Sequence, residues 1–186
     1  MRRARACALG LSVWAVLAIG ASGAAYAGSA ALQFCDRAPP RSAAEQDRLL
    51  RFAAIVKREL DDSGHALALV ARSGLDLQRL GIRYSHAGIS LKASPASPWS
   101  VRQLYFACDE GRPRLYDQGI AGFVSGTDDA ALGYVSIVLL PREAAAPLEA
   151  AALDKARALR LLAARYSANA HVWSLRYQNC NQWLAE

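Results

Sequence analysis

The stretch Arg83-Tyr84-Ser85-His86-Ala87-Gly88-Ile89-Ser90-Leu91-Lys92 is a short apolar run bounded by turn-forming residues, and it reads as a β-strand. Side chains alternate across a strand. Tyr84, His86, Gly88 and Ser90 therefore share one face, and Ser85, Ala87, Ile89 and Leu91 share the other. His86 lies on the less apolar face. Gly88 beside it leaves room for a neighbouring group, since glycine inside a strand often marks the close approach of a ligand or another backbone.

Similar runs lie on both sides of this strand. Ala66 to Ala71 reads as a buried strand, and Ser100 to Cys108, Arg114 to Asp117 and Gly133 to Leu140 complete the set. Pro95 and Pro98 mark one loop, and Gly119 to Asp129 is a glycine-rich connection. Before the strands, Ser42-Ala43-Ala44-Glu45 has the pattern of a capping box. Leu49, Phe52, Val56 and Leu60 follow at helical spacing, predicting an amphipathic helix from Ala43 to Asp62 that ends at Ser63-Gly64. Pro147 to about Arg165 is expected to be helical, with a break near Asp154. Gln178 to Glu186 reads as the opening of a helix. The class is α+β, an antiparallel sheet with flanking helices.

The chain has 186 residues and is 53% hydrophobic, which suits one packed domain and excludes a disordered chain. Its N-terminus has the three parts of a signal peptide: Arg2, Arg3 and Arg5, an apolar run from Ala6 to Ile19, and an Ala25-Tyr26-Ala27 exit. The rival reading, a retained membrane anchor, is disfavoured by Gly10, Gly20, Gly23 and many alanines. Cleavage after Ala27 is expected, leaving residues 28–186 as a single periplasmic or secreted α+β domain whose only membrane contact is through the leader.

The formal net charge of +6, from 22 Lys and Arg against 16 Asp and Glu, invites a nucleic-acid reading. Three of those arginines leave with the leader. The remaining 19 bases, against 16 acids, are scattered rather than gathered in a patch, so nucleic acid is not an expected partner. Beyond the leader the chain keeps Cys35, Cys108 and Cys180. No C-x-x-C pair and no His at zinc-finger spacing accompanies them, and no metal or cofactor is implied.

Cys180 follows two amide side chains and precedes a Trp-Leu helical run, so its sulfur is expected at a helix N-terminus. The partial positive charge there, and an imidazolium alongside, lower a thiol pKa. Cys180 and His86 thus fit a thiolate–imidazolium pair, the requirement of a cysteine nucleophile. Each residue alone also fits a plainer role: a small buried hydrophobe for the Cys, a packed residue for the His, with Asn179 as a simple helix cap. His171 is the rival base, among neighbours that are not strand-like.

Five runs carry a wider resemblance: FCDR (Phe34 to Arg37), RSGLDL (Arg72 to Leu77), RYSHAGIS (Arg83 to Ser90), ACDEGRPRLYDQG (Ala107 to Gly119) and RYQNCNQW (Arg176 to Trp183). Through them the chain resembles domain of unknown function 2145, a family of exported bacterial proteins without an established activity. Its His-then-Cys order also looks like the circularly permuted NlpC-type branch of papain-like thiol hydrolases. That similarity implies a permuted papain-like core with Cys180 as nucleophile and His86 as base. It also implies a polar residue, on the strand after the His, that orients the imidazole. Gln103 is the one uncharged amide on that strand, and Asp109 and Asp117 lie just beyond it. Oxyanion donors would be the backbone N–H of Cys180 and a nearby side chain such as Gln178.

With Cys180 assigned in this way, a Cys35–Cys108 disulfide resolves the odd cysteine count. Six residues follow Cys180, less than two helical turns, so a chain that stops abruptly or a fragment of a longer protein is expected. The activity this implies is hydrolysis or acyl transfer at an amide or ester, with a cell-envelope peptide or acyl group as substrate. The alternative is a non-catalytic periplasmic binding or interaction module in which Cys180 is structural.

Overall fold

A computed structural model describes Cys35 and residues 40–186 apart from 75, 76, 78, 79 and 174. The expected leader at residues 1–27, and most of the arm that follows it, lie outside the described residues. Helix α1 (Ala43–Asp62) starts on the expected capping box. Ser42 Oγ accepts from the Glu45 N–H at 3.3 Å, and Glu45 Oε2 accepts from the Ser42 N–H at 2.8 Å. Two N–H groups that the first helical turn leaves without partners are thereby satisfied. Leu49, Ala53, Val56 and Leu60 are its buried stripe, with Phe52 packed at the margin.

The strands β1 (Leu67–Arg72), β2 (His86–Leu91), β3 (Ser100–Ala107), β4 (Arg112–Gln118) and β5 (Val135–Val138) form one antiparallel sheet in the order β4-β3-β2-β1-β5. Strand β2 begins three residues later than its apolar run suggests, because Arg83 and Tyr84 are exposed and pair with no strand. Strand β4 is longer than expected at both ends. It follows β3 through a tight turn with Gly111 at φ +65°, and the pairing runs from Ala107↔Arg112 to Val101↔Gln118. Between β2 and β3, Trp99 is fully buried at φ 64° and donates from Nε1 to Asp61 Oδ1 at 2.6 Å, fastening the proline-containing loop to the end of α1.

The connection expected over Gly119 to Asp129 contains a short helix, α2 (Ile120–Val124), with Ile120, Phe123 and Val124 buried. Its apolar residues are too few to show helical period in sequence, and burial against the sheet supplies the stabilisation. Helix α3 (Arg142–Leu153) starts five residues before Pro147, which lies inside it and forfeits one backbone bond. The break falls at Asp154 as expected. Asp154 Oδ1 accepts from the Arg157 N–H at 3.0 Å and so caps α4 (Lys155–Arg160), which stops short of Arg165. The last helix is α5 (Cys180–Ala185).

Alternation along the strands divides the core in two. Ala68, Val70 and Val101 meet α1 and α2 on one face. Leu67, Ile89, Leu91 and Leu104 meet Ala152 of α3, Ala158 of α4, and Cys180 and Trp183 of α5 on the other. The sheet is thus covered by helices on both sides, each fully buried aliphatic or aromatic side chain contributing about 1.5–3 kcal/mol.

Candidate active site

The register that pairs Arg72 with His86, Val101 with Gln118 and Gln103 with Tyr116 sends a row of polar side chains to the α1/α2 face, at the end of the sheet beyond α1. His86 is buried. Its ring stacks on Tyr105, with centroids 4.4 Å apart and planes at 18°, and Phe123 lies 6.1 Å away. His86 Nε2 is 2.7 Å from Gln103 Oε1. Gln103 Nε2 in turn donates to Gln118 Oε1 at 2.7 Å. With its amide nitrogen committed to Gln118, Gln103 offers only an acceptor to the ring, which assigns the proton to Nε2 and leaves the Nδ1 lone pair free.

The close approach of β3 requires the glycine seen in the sequence. A Cβ on Gly88 would stand 2.6 Å from Val101 Cγ1, 2.8 Å from the Arg102 carbonyl oxygen and 3.1 Å from Gln103 Cβ.

Cys180 is the first residue of α5. Asn179 caps the helix through its Oδ1, which accepts from the Gln182 N–H at 2.9 Å. The Asn179 amide nitrogen donates to the carbonyls of Ala168 and Ala170, at 3.1 and 3.0 Å, and ties the preceding loop to the cap. Pairing between β2 and β3 ends at Ile89↔Arg102. Beyond it the Ala87 backbone N–H donates to the Cys180 thiol, which itself lies 3.9 Å from the Ser85 carbonyl oxygen. The thiol therefore occupies backbone hydrogen-bonding sites on β2 immediately either side of His86.

The resting charge state differs from the expected thiolate–imidazolium pair. Burial holds the Cys180 thiol above its ordinary pKa; the N–H groups of Ala87 and Asn181 and the charge of Arg72 oppose this without overcoming it. Burial, then the Arg72 charge, pushes His86 down to about 4, against the hydrogen bond to Gln103. Near neutral pH both groups are uncharged. The physical reason is the removal of water, which disfavours the charged form of each group and outweighs the N–H groups around the thiol.

A cavity of about 620 Å³ is lined by His86 and Cys180, and by Arg72, Tyr105 and Tyr166. His171, the rival base, is exposed and also lines it. Gln178, expected as an oxyanion donor, is turned away. Its Oε1 accepts from the Ala163 N–H at 2.9 Å, and its Nε2 donates to the Leu161 carbonyl at 2.8 Å and to Glu186 Oε2 at 2.6 Å. Asp117 accepts from Arg102 Nε and Nη2, each at 2.7 Å, and Asp109 is exposed in the β3–β4 turn; neither is the partner of His86. Sequence reasoning missed Arg72, Tyr105 and Gln118. Their alternation on β1, β3 and β4 put them on the His86 face, but only the register reveals that.

Cys35 and Cys108 form a disulfide, 73 residues apart with Cα atoms 5.6 Å apart, and Cys180 is a free thiol. Among the described residues no group of three or more His, Cys, Asp or Glu is placed to hold a metal ion, and no helix is long and apolar enough to cross a membrane.

A family profile described as "Uncharacterized protein conserved in bacteria (DUF2145)" matches residues 59–186. No curated protein and no solved structure matches the chain.

Proposed function

The chain belongs to DUF2145, a family of uncharacterized proteins conserved in bacteria, and we propose that it is a thiol-dependent hydrolase or acyltransferase with a permuted papain-like, NlpC-type core. Cys180 is the nucleophile, His86 the general base and Gln103 the group that orients the imidazole. One observation carries this reading: a buried histidine, held through Nε2 by a relayed amide at 2.7 Å, shares a cavity with a free thiol at a helix start. The imidazole is neutral near pH 7, with the Nδ1 lone pair available to accept a proton.

In the reaction, Nδ1 of His86 takes the proton of the Cys180 thiol as sulfur adds to the substrate carbonyl carbon. The tetrahedral adduct collapses, and the leaving amine or alcohol departs with the proton from His86. A water molecule, deprotonated by the same imidazole, then adds to the thioester carbonyl and releases the acid and the thiol; an acceptor amine or alcohol in place of water gives transfer. The expected leader makes a cell-envelope amide or ester the substrate.

A second reading has its own support. Cys180 packs with Ile89, Leu104 and Trp183, and burial raises its pKa, as suits a structural thiol in a non-catalytic module. Exposure of the protein to p-nitrophenyl acetate discriminates the two. The hydrolase reading expects a burst of one nitrophenolate per chain with the acetyl group on Cys180, absent in Cys180→Ala and about a hundredfold slower in His86→Ala. Acylation of Cys180 no faster in the folded chain than in the guanidinium-unfolded chain sinks it and favours the module.

A further inference from the structure

Two arginines are each only 4% exposed, and they are treated differently by the fold. Arg102 is neutralised by the bidentate Asp117 pair. Among the described residues Arg72 has no such partner. Its Nη1 donates to the carbonyls of Ser73 and Gly126 and its Nη2 to the Tyr105 hydroxyl at 2.8 Å, all uncharged acceptors. Among the described residues its Nε–H has no acceptor. No carboxylate among the described residues forms an ion pair with it, although Asp128 lines the same cavity.

An uncompensated buried charge is strongly destabilising, so folded proteins neutralise it or retain it for use. Here the backbone is shaped around it. A Cβ on Gly74 would lie 2.6 Å from Arg72 Nη1, and one on Gly126 would overlap Nη2. The guanidinium borders the cavity together with His86 and Cys180, and its charge acts on both.

We propose that Arg72 makes this cavity an anion-binding site, so that the ligand entering beside Cys180 carries a small anionic group, a carboxylate or a phosphate. The missing countercharge of Arg72 is supplied by the ligand, and the low-dielectric wall concentrates the attraction where water is excluded. This deepens the proposed function by naming a substrate class, an acyl compound with an anionic group near its scissile carbonyl, and it rests on that reading only for the word substrate.

Iodoacetate and iodoacetamide alkylate the same thiol and differ by one negative charge, so their rate ratio at Cys180 reads the field of Arg72. The folded protein is expected to favour iodoacetate about tenfold more than the unfolded chain does. In Arg72→Gln the ratio falls to the unfolded value, and Arg72→Lys retains part of the preference. Malonate and inorganic phosphate, each compared with chloride at equal ionic strength, raise the thermal midpoint of the wild type and not of Arg72→Gln; the larger rise identifies the preferred anion. A ratio unchanged by Arg72→Gln, or no anion-dependent midpoint shift in the wild type, overturns the proposal. His86→Ala leaves the anion preference intact while slowing the acylation burst about a hundredfold, so failure of the hydrolase reading and failure of the anion site are separately visible.

Discussion

His86 and Gln103, seventeen residues apart and on adjacent strands, are joined by a 2.7 Å contact between Nε2 and Oε1. The bond is the middle of a relay, because the Gln103 amide nitrogen is already given to Gln118. A residue that reaches a histidine in this way fixes both its ring plane and its tautomer, and the lone pair left on Nδ1 gives the ring its basic function.

Replacing Gln103 by Leu removes the acceptor and leaves the His86 N–H unpaired in a buried site. The acylation rate at Cys180 is expected to fall about 10- to 100-fold, and stability by about 1–3 kcal/mol. Glu at this position keeps an acceptor and is expected to recover part of the rate. A burst assay with p-nitrophenyl acetate, alongside urea unfolding, measures both; an unchanged rate in Gln103→Leu contradicts an orienting role.

Acid should destabilise the fold partly through His86. Its folded pKa of about 4 lies below the ordinary value of 6.5, so the unfolded chain binds the extra proton first. Its contribution is complete above pH 6.5 and is lost as pH falls through 4, by up to about 3 kcal/mol. Cys180 acts oppositely. Its raised pKa makes its contribution complete below the ordinary value of 9.0 and lost as pH rises beyond it. Urea unfolding of wild type and His86→Gln at pH 7 and pH 4 isolates the histidine, since the stability difference between them should narrow on acidification.

The Cys35–Cys108 bridge closes a loop of 73 residues, and its loss is expected to cost about 4 kcal/mol. Unfolding midpoints for the oxidised chain and for Cys35→Ser with Cys108→Ser test this. Thiol titration of oxidised residues 28–186 in guanidinium should find one thiol, Cys180, and three after reduction.

A methyl group at position 88 has nowhere to go, because the carbonyl of Arg102 is backbone. Gly88→Ala should therefore push β3 away from β2, cost about 1–3 kcal/mol, and move Gln103 off His86. Histidine NMR reads the outcome directly: the protected Nε2–H signal of His86 should be lost in the variant.

Much of the architecture was legible in periodicity. The capping box at Ser42, the stripe from Leu49 to Leu60 and the break at Asp154 depend on neighbours within a turn, which local sequence contains. The short helix at Ile120 and the early start of α3 were not legible. Five residues carry too little pattern, and Pro147 conceals a helix that begins before it. At the site, Cys180, His86 and Gln103 were named from sequence and stand at one end of the sheet, whereas the Gln178 amide is taken up by Leu161, Ala163 and Glu186, partners that only the tertiary structure brings to it.

By itself the sequence determined the helix and strand periods, the glycine that β2 needs, the cysteine parity and the residue types available for chemistry. These follow from side-chain spacing and backbone sterics along a single stretch of chain. Only the tertiary structure decided that Arg72 lies opposite His86 and Gln103 against its ring, and that the thiol and the imidazole are uncharged at rest. Strand register sets which distant side chains meet, and the removal of water, a property of packing rather than of order along the chain, sets the sign of their pKa shifts.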